Sequence, residues 1–425
     1  MVPFLHSYMA VHNSRWFFLA IACLINLFSG SLFTWSVFAG PKAVQLSALT
    51  GADLTAVDLA ITFAVCNLMG PIPMILSGFV NDRVGPAWLL IGGGLVVGAS
   101  LYAAGVSASI TSLVLSYGVF FGIGMGVVYG SLINTSVKLF PERRAFAAGA
   151  VTAAYGFCSV ILPHIAYRMI ESSGVELAFK YLGFATGGLI VFGGVCSLFL
   201  LKGKFSKQEI RKEERNSISE MNYRKMVVTP RFWLMFVFLF SGAFSGITLI
   251  SHASLIASKQ FGFTAAAAAT AVSYIALVNT SSRLVIGYVA DKFGYLKTLT
   301  LACVVAILGM LLFIVGSKGD NVFFFIGATT AALAYGSFMA VYPAYTARNF
   351  GSLHNSVNYS IMFCGFAAAG FIGPMVMKQL TIGDDFRLVY FAAIAALVIG
   401  LLSAVGLYRL DKRTQREHVH NGVQS

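Results

Sequence analysis

The sequence predicts an all-α membrane protein of twelve transmembrane helices in two pseudo-symmetric six-helix bundles, on three observations: its composition, the recurrence of long apolar runs, and motifs repeated at a fixed offset. Of its 425 residues 58% are hydrophobic and 11% are charged, and the mean hydropathy is +0.81. A water-soluble core cannot hide that much apolar surface, so lipid is the expected solvent. Twelve apolar runs are each long enough to cross a ~30 Å hydrocarbon layer at ~1.5 Å per residue.

The first six runs cover 16–39, 56–80, 87–106, 113–137, 146–169 and 178–201; the second six cover 232–257, 264–290, 298–316, 322–346, 356–377 and 388–407. This divides the chain into a bundle at 1–201, a basic linker at 202–231, a second bundle at 232–408 and a tail at 409–425. The first run is long, and Trp35-Ser36-Val37-Phe38 carries no small-residue cleavage pattern, so it is expected to remain in the membrane rather than be removed as a signal peptide. In the fourth, Gly118, Gly122, Gly126 and Gly130 recur every fourth residue and form a ridge without side chains, against which another helix can pack closely. Cys23, Cys66, Cys158, Cys196, Cys303 and Cys364 all fall inside runs with no CxxC pairing, which argues against disulfides and thiolate metal sites.

The formal net charge is +13, and its distribution decides what it means. With both termini cytoplasmic, 21 of the 29 Lys and Arg residues fall on the inner side and 7 on the outer, which obeys the positive-inside rule. Nine of the inner set lie between Lys202 and Arg231 among Glu209, Glu213, Glu214 and Glu220. That mixture reads as a solvated connector near anionic headgroups, not as a nucleic-acid site.

Gly78-Phe-Val-Asn-Asp82-Arg83-Val-Gly85 closes the second run and returns as Gly287-Tyr-Val-Ala-Asp291-Lys292-Phe-Gly294 at the end of the eighth, 209 residues later. Gly156-Phe157 in the fifth and Gly365-Phe366 in the eleventh repeat at the same offset. Two coincidences at one offset indicate a duplicated bundle. An aspartate and a cation at a helix end can pair across the loop, so Asp82, Arg83, Asp291 and Lys292 are expected to form a conformational gate. The doubled motif and the six-plus-six layout resemble the major facilitator superfamily over nearly the whole chain. That resemblance implies two bundles rocking about a central site with alternating access.

The sixteen Asp and Glu residues all lie in loops, in tails or at helix ends, and one charged residue, Arg283, remains in the membrane interior. Arg283 stands eight residues before Asp291, roughly 12 Å in from the helix end and near the midplane. An arginine there costs ~2.5–3.5 kcal/mol on the lenient insertion scale, so it must face a polar cavity or a partner. With no intramembrane acid to pair with, its expected counter-ion is a substrate carboxylate, which a guanidinium binds bidentately. The repeat places Met74 at the equivalent position of the first half, so the charge is no requirement of the scaffold. Asn279 shares a helix face with Arg283 four residues away, and Tyr129, nine residues before Lys138, lies at about the same depth. His252 is the candidate for proton coupling, since histidine titrates in the physiological range. His164, after Pro163, reads as a helix-end histidine.

The stretches Gly30 to Pro41, Gly124 to Gly130, Asn279 to Arg283 and Tyr335-Gly336-Ser337 resemble the oxalate/formate antiporter family, akin to monocarboxylate transporters. What that resemblance implies is a carboxylate ligand at Arg283, a substrate-contacting tyrosine at Tyr129 and an aromatic cavity wall at Tyr335. It also implies a departure: the oxalate exchanger carries a second cation, a lysine in the eleventh span, where this chain has Phe366.

The expected function is secondary transport of a small monocarboxylate such as lactate, pyruvate, formate or a short-chain acid. Arg283 would bind the carboxylate, Asn279 and Tyr129 would assist, and Phe33, Trp35, Tyr335 and Phe366 would form apolar walls. The expected partners are that acid, protons or a counter-transported anion, and the bilayer of the plasma (bacterial inner) membrane, with the protein acting as a monomer. No metal, nucleotide or haem motif appears, so no cofactor is expected. The rival within transport is an oxalate or dicarboxylate exchanger. A transporter-like anion receptor is disfavoured by the short tail and modest linker, and an enzyme by the absence of any His, Asp and Glu constellation within the runs.

Overall fold

A computed structural model describes residues 2–201, 220–383 and 385–422, leaving the side chains of 2–13, 33, 265 and 414–422 outside the description. The expected linker at 202–231 is thus described only from residue 220, and most of its basic residues lie outside the described residues. Apart from one isolated bridge between Ile382 and Asp385, every regular element among the described residues is helical.

Ten described helices are long and apolar enough to cross a membrane. One of them, Arg144–Leu200, holds two spans, because Gly174 breaks it at φ 81° and ψ 163°, a conformation open to glycine. The remaining span is Ala265–Phe293, 29 residues long, whose apolarity is lowered by the polar stretch Asn279 to Arg283. The total is the twelve spans expected. The third, Ala87–Val106, has the expected limits.

Two spans run differently from the hydropathy pattern. The first ends at Ser29, passes through a 3-10 turn at Gly30–Thr34, and resumes as Trp35–Thr50, well past the expected end at 39. Lys42, counted above with the outer loops, is therefore fully buried and gives its ammonium protons to Gly105 O (2.8 Å), Ser107 O (3.0 Å) and Gln45 Oε1 (2.8 Å). Three acceptors for three donors make that burial tolerable. The seventh span breaks likewise after Pro230–Ile250 and resumes as Ala253–Lys259. There Gln260 Nε2 donates to Phe313 O (2.6 Å) and Gly316 O (3.0 Å), so each half ties a helical extension to the end of the span two further along.

The glycine ridge of the fourth span packs along the second. Added Cβ atoms would meet Thr62 O at 3.2 Å from Gly118, Cys66 O at 2.8 Å from Gly122 and Met74 Cγ at 2.6 Å from Gly130, and one on Gly126 would overlap the Gly70 carbonyl. Between the halves the fifth span packs on the eighth and the second on the eleventh. These contacts exchange with one another under the internal repeat.

Candidate functional site

Arg283 lies where the halves meet. The eighth span reaches the fifth because glycines clear the way: a Cβ on Gly149 would collide with the Arg283 carbonyl, and one on Gly156 would fall 2.5 Å from Thr280 Oγ1. The arginine is 5% exposed and its Nη1 donates to the carbonyl of Thr152 in the other half at 2.9 Å. Its Nε is buried without a hydrogen-bond partner, and among the described residues no carboxylate pairs with it. One carbonyl bond therefore satisfies part of the guanidinium and leaves the Nε edge, half of a bidentate fork, for another acceptor.

Four tyrosine hydroxyls lie close enough to act electrostatically on this cation: Tyr129 and Tyr155 from the first half, Tyr335 and Tyr359 from the second. The Tyr129 hydroxyl is buried without a partner, as is Oδ1 of Asn279, one helical turn before Arg283. Leaving such groups unpaired costs ~1–3 kcal/mol each. A polar ligand seated among them would relieve that cost.

The aromatic residues are distributed unevenly. Tyr335 and Phe366 meet with ring centroids 5.8 Å apart, and Phe366 stacks on Phe363 at 4.9 Å. Phe363 also reaches Tyr129 across the halves at 6.2 Å, and Tyr129 packs on Tyr155 at 5.0 Å. Trp35, expected as a wall of the same cavity, is instead committed to the packing of the first half, with its ring 4.7 Å from Tyr117. Phe33 belongs to the 3-10 turn, and its side chain lies outside the described residues. Met74, the repeat counterpart of Arg283, is buried against Gly130, and its carbonyl accepts from Ser360 Oγ at 3.0 Å.

His252 and His164 hydrogen-bond within their own spans. His252 occupies the break in the seventh span, half-buried, with Nδ1 3.0 Å from Ser251 Oγ and 3.3 Å from Thr248 O. His164 is exposed, with Nδ1 3.0 Å from Val160 O.

At the linker side the repeated motif works differently from the expected pairing of aspartate with its neighbouring cation. Asp82 accepts from Ser356 N (3.2 Å) and Val357 N (3.3 Å), the first turn of the eleventh span, and forms an ion pair with Lys138 at 2.5 Å. Asp291 accepts from Ala145 N (3.0 Å) and Phe146 N (2.8 Å), the first turn of the fifth, and from Tyr295 Oη at 2.9 Å. Each aspartate thus caps a helix of the opposite half, where unpaired amides and the helix dipole favour an anion. Arg83 is exposed, and Lys292 sits 4.6 Å from the centre of the Tyr288 ring. The glycine four residues ahead of each aspartate permits this approach, since added Cβ atoms would come within 3.0 Å of the Ser356 backbone at Gly78 and 2.5 Å of Ala145 O at Gly287.

Further bonds cross the same seam, from Asn81 Nδ2 to Ser356 Oγ (2.9 Å) and from Asn355 Nδ2 to Asn134 Oδ1 (3.0 Å). The linker joins in: Glu220 accepts from Ser352 N (3.0 Å) and Leu353 N (3.2 Å), and Tyr223 packs edge-on against Phe79 at 5.5 Å. Parting the halves on this side requires breaking the bonds that cross the seam.

Tyr155, Tyr359 and Phe363 were missed as site residues in the sequence. Tyr155 adjoins the repeated Gly156, and Tyr359, Phe363 and Phe366 follow helical spacing, so the signal was one aromatic face.

Comparison with known proteins accords with this arrangement. The chain is 29% identical over 362 residues to the oxalate:formate antiporter of Oxalobacter formigenes, covering 85% of this chain and 84% of that protein. It is 28% identical over 358 residues to YhjX of Escherichia coli, an uncharacterized MFS-type transporter, covering 83% of this chain and 85% of that one. Among solved structures it shares its fold with the transporter FucP, at a TM-score of 0.70 and 13% identity over 93% of this chain and 99% of that one. It also shares it with the human organic anion transporter MFSD10, at a TM-score of 0.65 and 13% identity over 91% and 98%. The profile of the Major Facilitator Superfamily matches residues 19–328. With its spans duplicated about a central seam, the chain belongs to the major facilitator superfamily: it is a multi-pass integral membrane transporter of a small molecule and not an enzyme.

Proposed function

We propose that this transporter carries a small monocarboxylate, of the lactate, pyruvate, formate or short-chain class, by alternating access. The observation that carries the reading is the buried Nε of Arg283, unpaired at the seam between the halves with no described carboxylate beside it. A substrate carboxylate supplies the missing acceptor and the missing charge. Asn279 and Tyr129 assist, and Tyr335 and Phe366 provide apolar walls. Asp82, Arg83, Asp291 and Lys292 form the proposed gate, with the two aspartates as its working groups. The bundles of residues 1–201 and 232–408 are the proposed rocking units, in a plasma (bacterial inner) membrane with both termini cytoplasmic and the protein acting as a monomer. Uptake is coupled to protons, with His252 as the candidate carrier, or to a returning anion.

A second reading, exchange of oxalate or another dicarboxylate, is favoured by the likeness to the Oxalobacter formigenes antiporter. Uptake of radiolabelled acids into proteoliposomes, with and without a pH gradient, separates the two. The first expects monocarboxylate uptake that Arg283→Ala abolishes, and oxalate counterflow without net proton movement supports the second.

A further inference from the structure

A carboxylate held by Arg283 presents its remaining atoms to the surroundings of the guanidinium, and these are aromatic. Tyr155, Tyr129, Phe363, Phe366 and Tyr335 form an unbroken succession of ring contacts with centroids 4.9–6.2 Å apart, running from one half into the other. The succession crosses the seam at the contact between Tyr129 and Phe363. Phe363 also touches Tyr359, one turn earlier on its own helix, at 5.9 Å. Phe363 and Phe366 are half-buried, whereas Met362 and Gly365 beside them are buried. Phe363 keeps part of its surface open although it packs on Tyr129 across the halves. Tyrosine neighbours can turn a hydroxyl toward the substrate, but Phe363 has no polar atom to offer.

On the carboxylate reading, we infer that Phe363 is the specificity-determining residue for acyl tail length: the tail of an acid bound at Arg283 ends against its ring, between Tyr129 and Phe366. A purely apolar stop accepts methyl and methylene groups up to the available depth and rejects longer chains by overlap. In such pockets one methylene more or less changes selection by ~10–200-fold.

The test is competition by formate, acetate, propionate, butyrate and hexanoate against uptake of a radiolabelled acid, in proteoliposomes of the unmodified protein, Phe363→Ala and Phe363→Trp. The expected result is a change of rank order: the alanine variant shifts preference toward the longer acids by about tenfold or more, and the tryptophan variant toward the shorter. Phe363→Leu, which keeps much of the volume, is expected to shift preference in the same direction as alanine and by less, and it serves if the alanine variant does not assemble. An unchanged rank order, including a uniform loss for every acid, overturns the inference and leaves Phe363 a packing residue. Failure of the underlying reading looks different, because then no monocarboxylate competes with the unmodified protein at all.

Discussion

The guanidinium of Arg283 donates to the carbonyl of Thr152, 2.9 Å away in the opposite half of the molecule. The cation is thus part of the seam as well as the proposed ligand for substrate. An anion at its free Nε edge polarises the same group that bonds the Thr152 carbonyl, so occupancy of the site and the fit of the halves are physically linked.

Replacing Arg283 by Lys or Ala is expected to abolish uptake while leaving membrane insertion intact. An ammonium cannot reproduce the planar fork, and hydrogen bonds to charged groups contribute ~1.5–3 kcal/mol, or about 10–100-fold in affinity. Ligand binding to the purified variants, set beside their yield in membranes, checks this. Normal uptake by the alanine variant would remove the site from Arg283.

Asp82→Asn and Asp291→Asn are expected to slow transport more than they weaken binding. Both carboxylates sit far along the spans from Arg283 and cap helices of the opposite half, where a negative charge contributes ~0.3–1 kcal/mol, up to ~2 when partly buried. The amide keeps one acceptor and loses the charge. Maximal rate and KM measured together decide the matter; equal losses in affinity would place the damage at the binding site.

His252→Ala is expected to uncouple uptake from an imposed pH gradient while sparing exchange. The carboxylates of the described spans lie toward their ends, as Asp82 and Asp291 do, and His252 lies half-buried at the break of the seventh span. Full gradient-driven accumulation by the variant excludes this role.

Much of the fold was legible because lipid imposes a simple rule, apolar length. It matched the limits of the third span, and it singled out Arg283 as the cation deepest within a run. The ridge Gly118 to Gly130 was equally readable, since small residues at helical spacing mean close approach whatever the partner. Hydropathy does not encode where a helix bends or which way it turns. The 3-10 turn at Gly30–Thr34 leaves no break in the apolar run, and the polar residues Lys42 and Gln45 made the buried extension read as a loop. Tyr155, Tyr359 and Phe363 escaped for a related reason: an aromatic in a span has the same hydropathy whether it faces lipid, core or cavity. The partners of Asp82 and Asp291 are backbone amides, which any residue supplies, so no side-chain pattern marked them.

Charge number is the remaining handle on the substrate. A site with one arginine neutralises one carboxylate, and a second would be buried unpaired at a cost of several kcal/mol. Phe366, stacked on Phe363, offers that second group only an apolar face. Phe366→Lys is expected to improve oxalate binding relative to monocarboxylates by supplying the missing cation. The variant is read in the same competition assay as the unmodified protein.

The central claim, that one cation selects one carboxylate, is tested most directly by competition at neutral pH on the unmodified transporter. Excess lactate, pyruvate or a short-chain acid is expected to displace the bound ligand, with oxalate a poor competitor. Oxalate outcompeting every monocarboxylate would contradict the claim and put the dicarboxylate exchanger in its place.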